Sequence, residues 1–284
     1  MKFSFLKKKE YVIIARSSSR RPCGQSRPSH GEHREAVRMR LTVARLTRPE
    51  TNRTALLRGI AKALVDNSDR ILAANDLDVE QNKATLAPSS LQRLYLKRDK
   101  LRVLAEGIEQ IASQPEPIGK VLKRTLVADG LVLEQQSSPL GVLLVIFESR
   151  PDALPQVASL ALRSGNGIML KGGKEALYTN RVLHAIISEQ VAAAGIDPAV
   201  VTFIERREEI ASLLALDDVI DLVIPRGSGE LVRHIQSNTR IPVLGHAEGI
   251  CHVYVDSAVD MDLASKVVVD AKTVRPKTKK RTGI

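Results

Sequence analysis

The chain has 284 residues, 43% of them hydrophobic and 3% aromatic, with no Trp and a formal net charge of +11. That length supports one large domain or two modest ones with a real core, and no apolar run reaches the ~20 residues that a membrane span needs. The positive charge sits at the ends: residues 1–48 hold thirteen Lys or Arg against three Asp or Glu, residues 270–284 hold six against one, and the body between them holds 24 basic and 28 acidic groups, so it is no basic face tracking a nucleic-acid backbone.

The first 48 residues, rich in Arg, Ser and Pro, read as a disordered basic leader. From Thr51 the pattern turns helical. Leu57, Ile60 and Leu64 recur at helical spacing, a second helix is expected near Asp69–Glu80, and Leu101, Leu104, Ile108 and Ile111 mark a third. Pro115 and Pro117 close that helix. Two strands follow, joined by a hairpin turn at Asp129-Gly130.

Apolar runs then come at Val142–Phe147, Gly167–Lys171, Val200–Glu205, Val219–Ile224, Ile241–Leu244 and Cys251–Val255, mostly separated by helix-length segments. Strands alternating with helices predict an α/β fold, a doubly wound and mostly parallel sheet with both faces covered. Scarce aromatics and abundant Ala, Leu, Val and Ile suit such a sheet. Ligands of these sheets sit at the carboxyl ends of the strands.

Two strand ends carry glycine turns with cations. In "LKGGKEA", Lys171 ends a strand, Gly172 and Gly173 make the turn, and Lys174 opens a helix. In "PRGSGE", Arg226, Gly227 and Ser228 repeat the design. Glycines let a backbone approach a ligand and helix N-termini favour anions, so a phosphate is the expected guest. A tight turn with solvated lysines would leave the same text. Neither turn is a Walker loop or a G-x-G-x-x-G fingerprint, and two on neighbouring strand–helix units weigh more than one.

In "FESRPD", Arg150 could grip a carboxylate or phosphate, or pair with Glu148 or Asp152. "GHAEGICHVYVD" gathers His246, Glu248, Cys251 and His252; a nucleophile–base pair is one reading, burial at the start of an apolar strand the other. Cys23 and Cys251 lie far apart without metal-ligand spacing, which points to a reducing, cytoplasmic setting and no metal site.

Together these strings resemble gamma-glutamyl phosphate reductase (glutamate-5-semialdehyde dehydrogenase) of the aldehyde dehydrogenase superfamily. The likeness is carried by "PIGKVLKRTLVADGLVLEQQSSPLGVLLVIFESRPDAL", "GNGIMLKGGKEA", "DDVIDLVIPRGS", "IPVLGHAEGICHVYVD" and "DAKTVRP", and it runs from about Thr51 to Pro276. It implies an oxidoreductase of proline biosynthesis that reduces gamma-glutamyl phosphate with NADPH to glutamate semialdehyde. It implies that Lys171, Gly172, Gly173, Lys174, Arg226, Gly227 and Ser228 bind NADP(H), with the Lys174 cation favouring the 2′-phosphate. Ser149 and Arg150 become candidates for oxyanion or substrate contacts.

The implied layout is a leader over 1–48, an N-terminal helical part of the cofactor domain over 49–118, oligomerisation-type strands over 119–139, the NADP-binding α/β domain over 140–256 and the start of a catalytic domain over 257–284. The family's nucleophilic cysteine is expected three residues after Pro276, where this sequence has Lys279. The copy is therefore expected to be C-terminally truncated and inactive, with no catalytic residue of its own. The second reading is a non-catalytic pseudoenzyme or partner module that binds NADP(H) or a full-length relative; the associations expected are a homo-oligomer or a pairing with such a relative.

Overall fold

Residues 30–48, 50–148, 150–205, 209–245 and 252–273 are described by a computed structural model. Five helices come first: α1 (His30–Leu46), α2 (Arg53–Asp66), α3 (Ser68–Asn82), α4 (Pro88–Leu94) and α5 (Arg98–Ser113). The Asn52 side chain accepts the Ala55 N–H at 2.9 Å and so caps α2. Leu56, Leu57, Ile60 and Leu64 then bury one stripe of that helix, while α5 buries Leu101, Leu104, Ala105 and Ile108. Helix α5 stops before Pro115, as the sequence predicts.

Strands β1 (Val121–Ala128) and β2 (Leu131–Gln136) form a separate antiparallel hairpin around Asp129-Gly130. Gly130 has φ of 73°, the left-handed backbone that glycine adopts without steric cost. Strand β1 is exposed along its whole length.

The second sheet contains β3 (Val142–Phe147), β4 (Gly167–Lys171), β5 (Val201–Ile204) and β6 (Leu222–Arg226), all parallel, in the order β5-β4-β3-β6. The interleaved helices are α6 (Ala153–Arg163), α7 (Leu177–Ala193), α8 (Glu209–Leu213) and α9 (Gly229–Ser237); α10 (Met261–Thr273) ends the described chain. Because successive strand residues point to opposite faces, β3 feeds two cores. Leu143, Val145 and Phe147 pack with α2, α5, α6 and α7. Val142, Leu144 and Ile146 join a second cluster with Ala36 and Met39 of α1 and Ile235 of α9. This is the doubly wound α/β architecture expected.

Three expectations need correction. Residues 30–46 are not part of a disordered leader: Ala36, Met39 and Leu46 are fully buried, and α1 covers the second face of the sheet. Its arginines find carboxylates of the body, Arg38 gripping Asp197 at 2.7 and 2.9 Å while Arg40 donates to the Val219 carbonyl at 2.7 Å and to Asp221 at 3.3 Å. The run Ile241–Leu244 contributes a single parallel bridge, Val223 to Val243, rather than a full strand. Residues 252–255 form no strand, and Val253, Tyr254 and Val255 are exposed because no neighbouring strand covers them among the described residues.

Candidate cofactor-binding site

The carboxyl rim of the sheet is built by three adjacent strand ends. Register pairs Ile146 of β3 with Lys171 of β4, and Phe147 of β3 with Arg226 of β6. Both glycine turns therefore emerge on one rim. They flank β3 rather than abut each other, so about 10 Å of sheet, two strand spacings, separates them.

On the β4 side, Lys171 is buried and its Nζ donates to the Gly172 carbonyl at 2.6 Å, while Lys174 is exposed at the head of a 3-10 turn leading into α7. The two lysines thus have different surroundings, although the sequence presents them as a pair. Gly172 is required by close approach: a β-carbon there would collide with Asn180 Nδ2 and stand 3.4 Å from Phe147 Cε2. Helix α7 is held by Asp78 of α3, whose carboxylate accepts the Tyr178 and Thr179 N–H groups at 3.1 and 2.7 Å and the Thr179 hydroxyl at 2.6 Å. Burial pushes the Asp78 carboxyl pKa up, although these hydrogen bonds work in the opposite direction.

On the β6 side, Arg226, Gly227 and Ser228 are exposed, and Ser228 is the N-cap of α9, its Oγ accepting the Leu231 N–H at 3.3 Å. A β-carbon on Gly227 would stand only 2.8–3.0 Å from the Glu148 carboxylate. A negatively charged group thus lies beside the N-terminus of α9, where the helix dipole favours an anion. The cap at Ser228 and the cations Arg226 and Lys174 suit a phosphorylated nucleotide in charge, while backbone access at Gly227 requires the Glu148 side chain to turn aside.

Between them, Arg150 is exposed, and neither suggested partner is given over to it: Asp152 pairs with Lys100 at 3.2 Å and Glu148 lies against Gly227. Ser149, His246, Glu248, Cys251 and Lys279 lie outside the described residues. His252, expected to be buried, is exposed because its segment runs free of the sheet. The sequence did not single out Asp78 or Asn180, which read simply as polar helix residues. A cavity of about 650 Å³, lined by Arg45, Asn52, Gly59 and Gln190 among others, is at the opposite end of α7 from this rim.

Sequence comparison decides the family. Over 226 residues, 79% of the chain, it is 54% identical to delta-1-pyrroline-5-carboxylate synthase A of Arabidopsis thaliana. Over 228 residues it is 48% identical to the gamma-glutamyl phosphate reductase of Parasynechococcus marenigrum. The chain belongs to the gamma-glutamyl phosphate reductase family.

Crystal structures of family members agree. The Thermotoga maritima gamma-glutamyl phosphate reductase matches 88% of the chain with a TM-score of 0.79 at 31% identity, and the Saccharomyces cerevisiae one matches 85% with 0.71 at 42%. Aldehyde dehydrogenases share the fold at far lower identity, among them a glyceraldehyde-3-phosphate dehydrogenase of Methanocaldococcus jannaschii complexed with NADP, at 14% and a TM-score of 0.60. No protein-family model matches the chain. The chain spans 31% of the length of the Arabidopsis synthase and 52% of the Parasynechococcus reductase, and 61% and 62% of the two solved reductases.

Proposed function

We propose that this chain carries the nucleotide-binding part of an NADPH-dependent gamma-glutamyl phosphate reductase, acting in proline biosynthesis in the cytoplasm. The observation that carries the reading is the shared rim. The Gly172-Gly173 turn and the Gly227-Ser228 cap flank β3 on one edge, with Lys171, Lys174 and Arg226 around them. In this reading the Ser228 cap and the α9 N-terminus hold the pyrophosphate, Lys171 meets the adenosine ribose and Lys174 pairs with the 2′-phosphate. When bound, NADPH supplies the hydride. Arg150 would face the acyl phosphate from just beyond β3, and Ser149, its neighbour in sequence, is the second candidate for that contact.

The family's reaction needs a thiolate that attacks the acyl phosphate, expels phosphate and leaves a reducible thioester. Lys279 stands at that position in the sequence. An amine there would give a stable amide instead, so the chain by itself is proposed to bind NADPH without turnover. Calorimetric titration with NADPH and NADH tests the first half, and an assay of the purified chain with glutamate semialdehyde, NADP and phosphate tests the second. Saturable, NADPH-preferring heat is expected, with no nucleotide reduction. Turnover would sink the inactive reading, and absence of any binding would sink the nucleotide reading.

A second reading has an observation of its own. The β1–β2 hairpin exposes Leu122, Leu126 and Val127, an apolar surface suited to another copy of this chain or to a longer relative. Basic residues of α1 are paired to the body through Asp197 and Asp221, which favours protein contacts over nucleic-acid binding.

A further inference from the structure

A buried polar group with no hydrogen-bond partner is destabilising, so each one in a well-packed region calls for a reason. Asn180, in the second turn of α7, is fully buried, and neither Oδ1 nor Nδ2 has a hydrogen-bond partner. The polar side chains around it are satisfied. Thr179 bonds to Asp78, while Asn75 donates to the Leu94 carbonyl at 3.0 Å and accepts the Leu96 N–H at 2.7 Å. The helix end is therefore well organised, and Asn180 is the exception. A leucine, which has the same number and branching of side-chain heavy atoms, would fill this position without the desolvation penalty.

The carboxamide points at the rim. Its Nδ2 lies where a β-carbon of Gly172 would be, and Gly172 is the residue whose carbonyl accepts Lys171 Nζ at 2.6 Å. Here the Lys171 ammonium is folded onto its own turn. An anionic or hydroxyl-rich ligand that draws Nζ outward removes a donor from a buried carbonyl, and the turn would be left with an unpaired acceptor. Asn180 Nδ2, beside the same residue, has two free donors.

We propose that Asn180 is a positioning residue for nucleotide binding: when Lys171 Nζ swings to the ligand, Asn180 Nδ2 takes over the Gly172 carbonyl and holds the glycine turn in place. This rests on the nucleotide-binding reading of the rim. It assigns the unmet donor of Asn180 Nδ2 to the liganded state and separates its effect on affinity from its effect on stability.

The test compares the whole chain with its Asn180→Leu and Asn180→Ala variants by thermal melting and by NADPH calorimetry. Asn180→Leu should melt at or above the parent temperature, yet bind NADPH about tenfold more weakly, the factor one hydrogen bond is worth. In a Lys171→Met background the carbonyl depends on Asn180 throughout, so Asn180→Leu should now lower the melting temperature. Unchanged affinity in both single variants, or affinity lost only in step with melting temperature, overturns the proposal while leaving the nucleotide reading intact. If the parent chain takes up no NADPH, that reading fails first and this inference with it.

Discussion

Lys174 and His184 show how much one side chain's surroundings decide. Lys174 stands exposed at the head of the turn before α7, and its ammonium is the group proposed to pair with the 2′-phosphate. Replacing it with glutamate removes a charge-assisted hydrogen bond worth about 1.5–3 kcal/mol and adds repulsion. Lys174→Glu should weaken NADPH binding by well over tenfold and leave NADH within about threefold of the parent. Equal losses for both nucleotides in parallel titrations would remove the argument for cofactor choice. His184 sits at the α7–β5 contact, its Nε2 2.9 Å from the Val201 carbonyl and its ring 6.1 Å from that of Phe203. Burial pushes its pKa down, against the Val201 carbonyl and the Glu205 charge, which favour the protonated ring. Since the folded state binds this proton less readily than the unfolded chain, the His184 contribution is complete above the unfolded value of about 6.5 and fades as pH falls below it. Melting temperature should drop between about pH 7.5 and 5.5, and less steeply in His184→Gln. Parallel pH profiles for the two proteins would show that this ring is not responsible.

At the scale of elements, legibility followed the range of the forces involved. Strands β3 and β4 match the predicted runs residue for residue, because strands buried on both faces are near-continuous apolar runs, here interrupted only at the terminal Lys171, and Gly141 and Gly172 mark the start of one and the end of the other. The last two predicted strands failed for a tertiary reason: an apolar run becomes a strand only when a neighbour takes its hydrogen bonds, and among the described residues beyond β6 only the bridge at Val243 forms, through the Pro242 carbonyl and the Leu244 N–H. Helix α1 was hidden differently. Ala36, Met39, Val43 and Leu46 do recur at helical spacing, but arginines between them make the segment look like a solvated tail. The acids that absorb those charges lie some 160–180 residues away and cannot be read locally. The rim turns were legible as motifs; the orphan amide of Asn180 was not, since burial without a partner leaves no trace in sequence. If α1 is a true layer of the fold, its central side chain must matter. Met39 is fully buried, and a β-carbon on Gly167 of β4 would meet its Cγ at 2.7 Å. Met39→Ala should cost about 2–5 kcal/mol in urea unfolding, a core-sized penalty. A change below about 0.5 kcal/mol, typical of the surface, would mean that α1 does not cover the sheet in solution.

For the molecule as a whole, the two ends of the chain differ in how they meet the α/β body. Residues 30–46 bury an apolar stripe and pair their charges with the body, whereas β1 and α10 bury no residue at all. Leu126 and Val127 are 66% and 60% exposed, Tyr254 is 86% exposed, and α10 has no buried residue. Large apolar side chains this exposed mark surfaces where association or aggregation can begin. The hairpin offers the more directional contact, because strand edges pair through backbone hydrogen bonds whereas α10 has all of its own backbone groups largely satisfied within the helix. A double change, Leu126→Lys with Val127→Lys, puts charge on both faces of β1 while leaving the rim residues untouched. Sedimentation velocity of the parent chain should show mass rising with concentration, and the double variant should remain smaller at every concentration while binding NADPH with the parent's affinity. Should the variant associate as strongly as the parent, the hairpin is not the contact, and the apolar residues of the 252–273 segment become the surface to alter next.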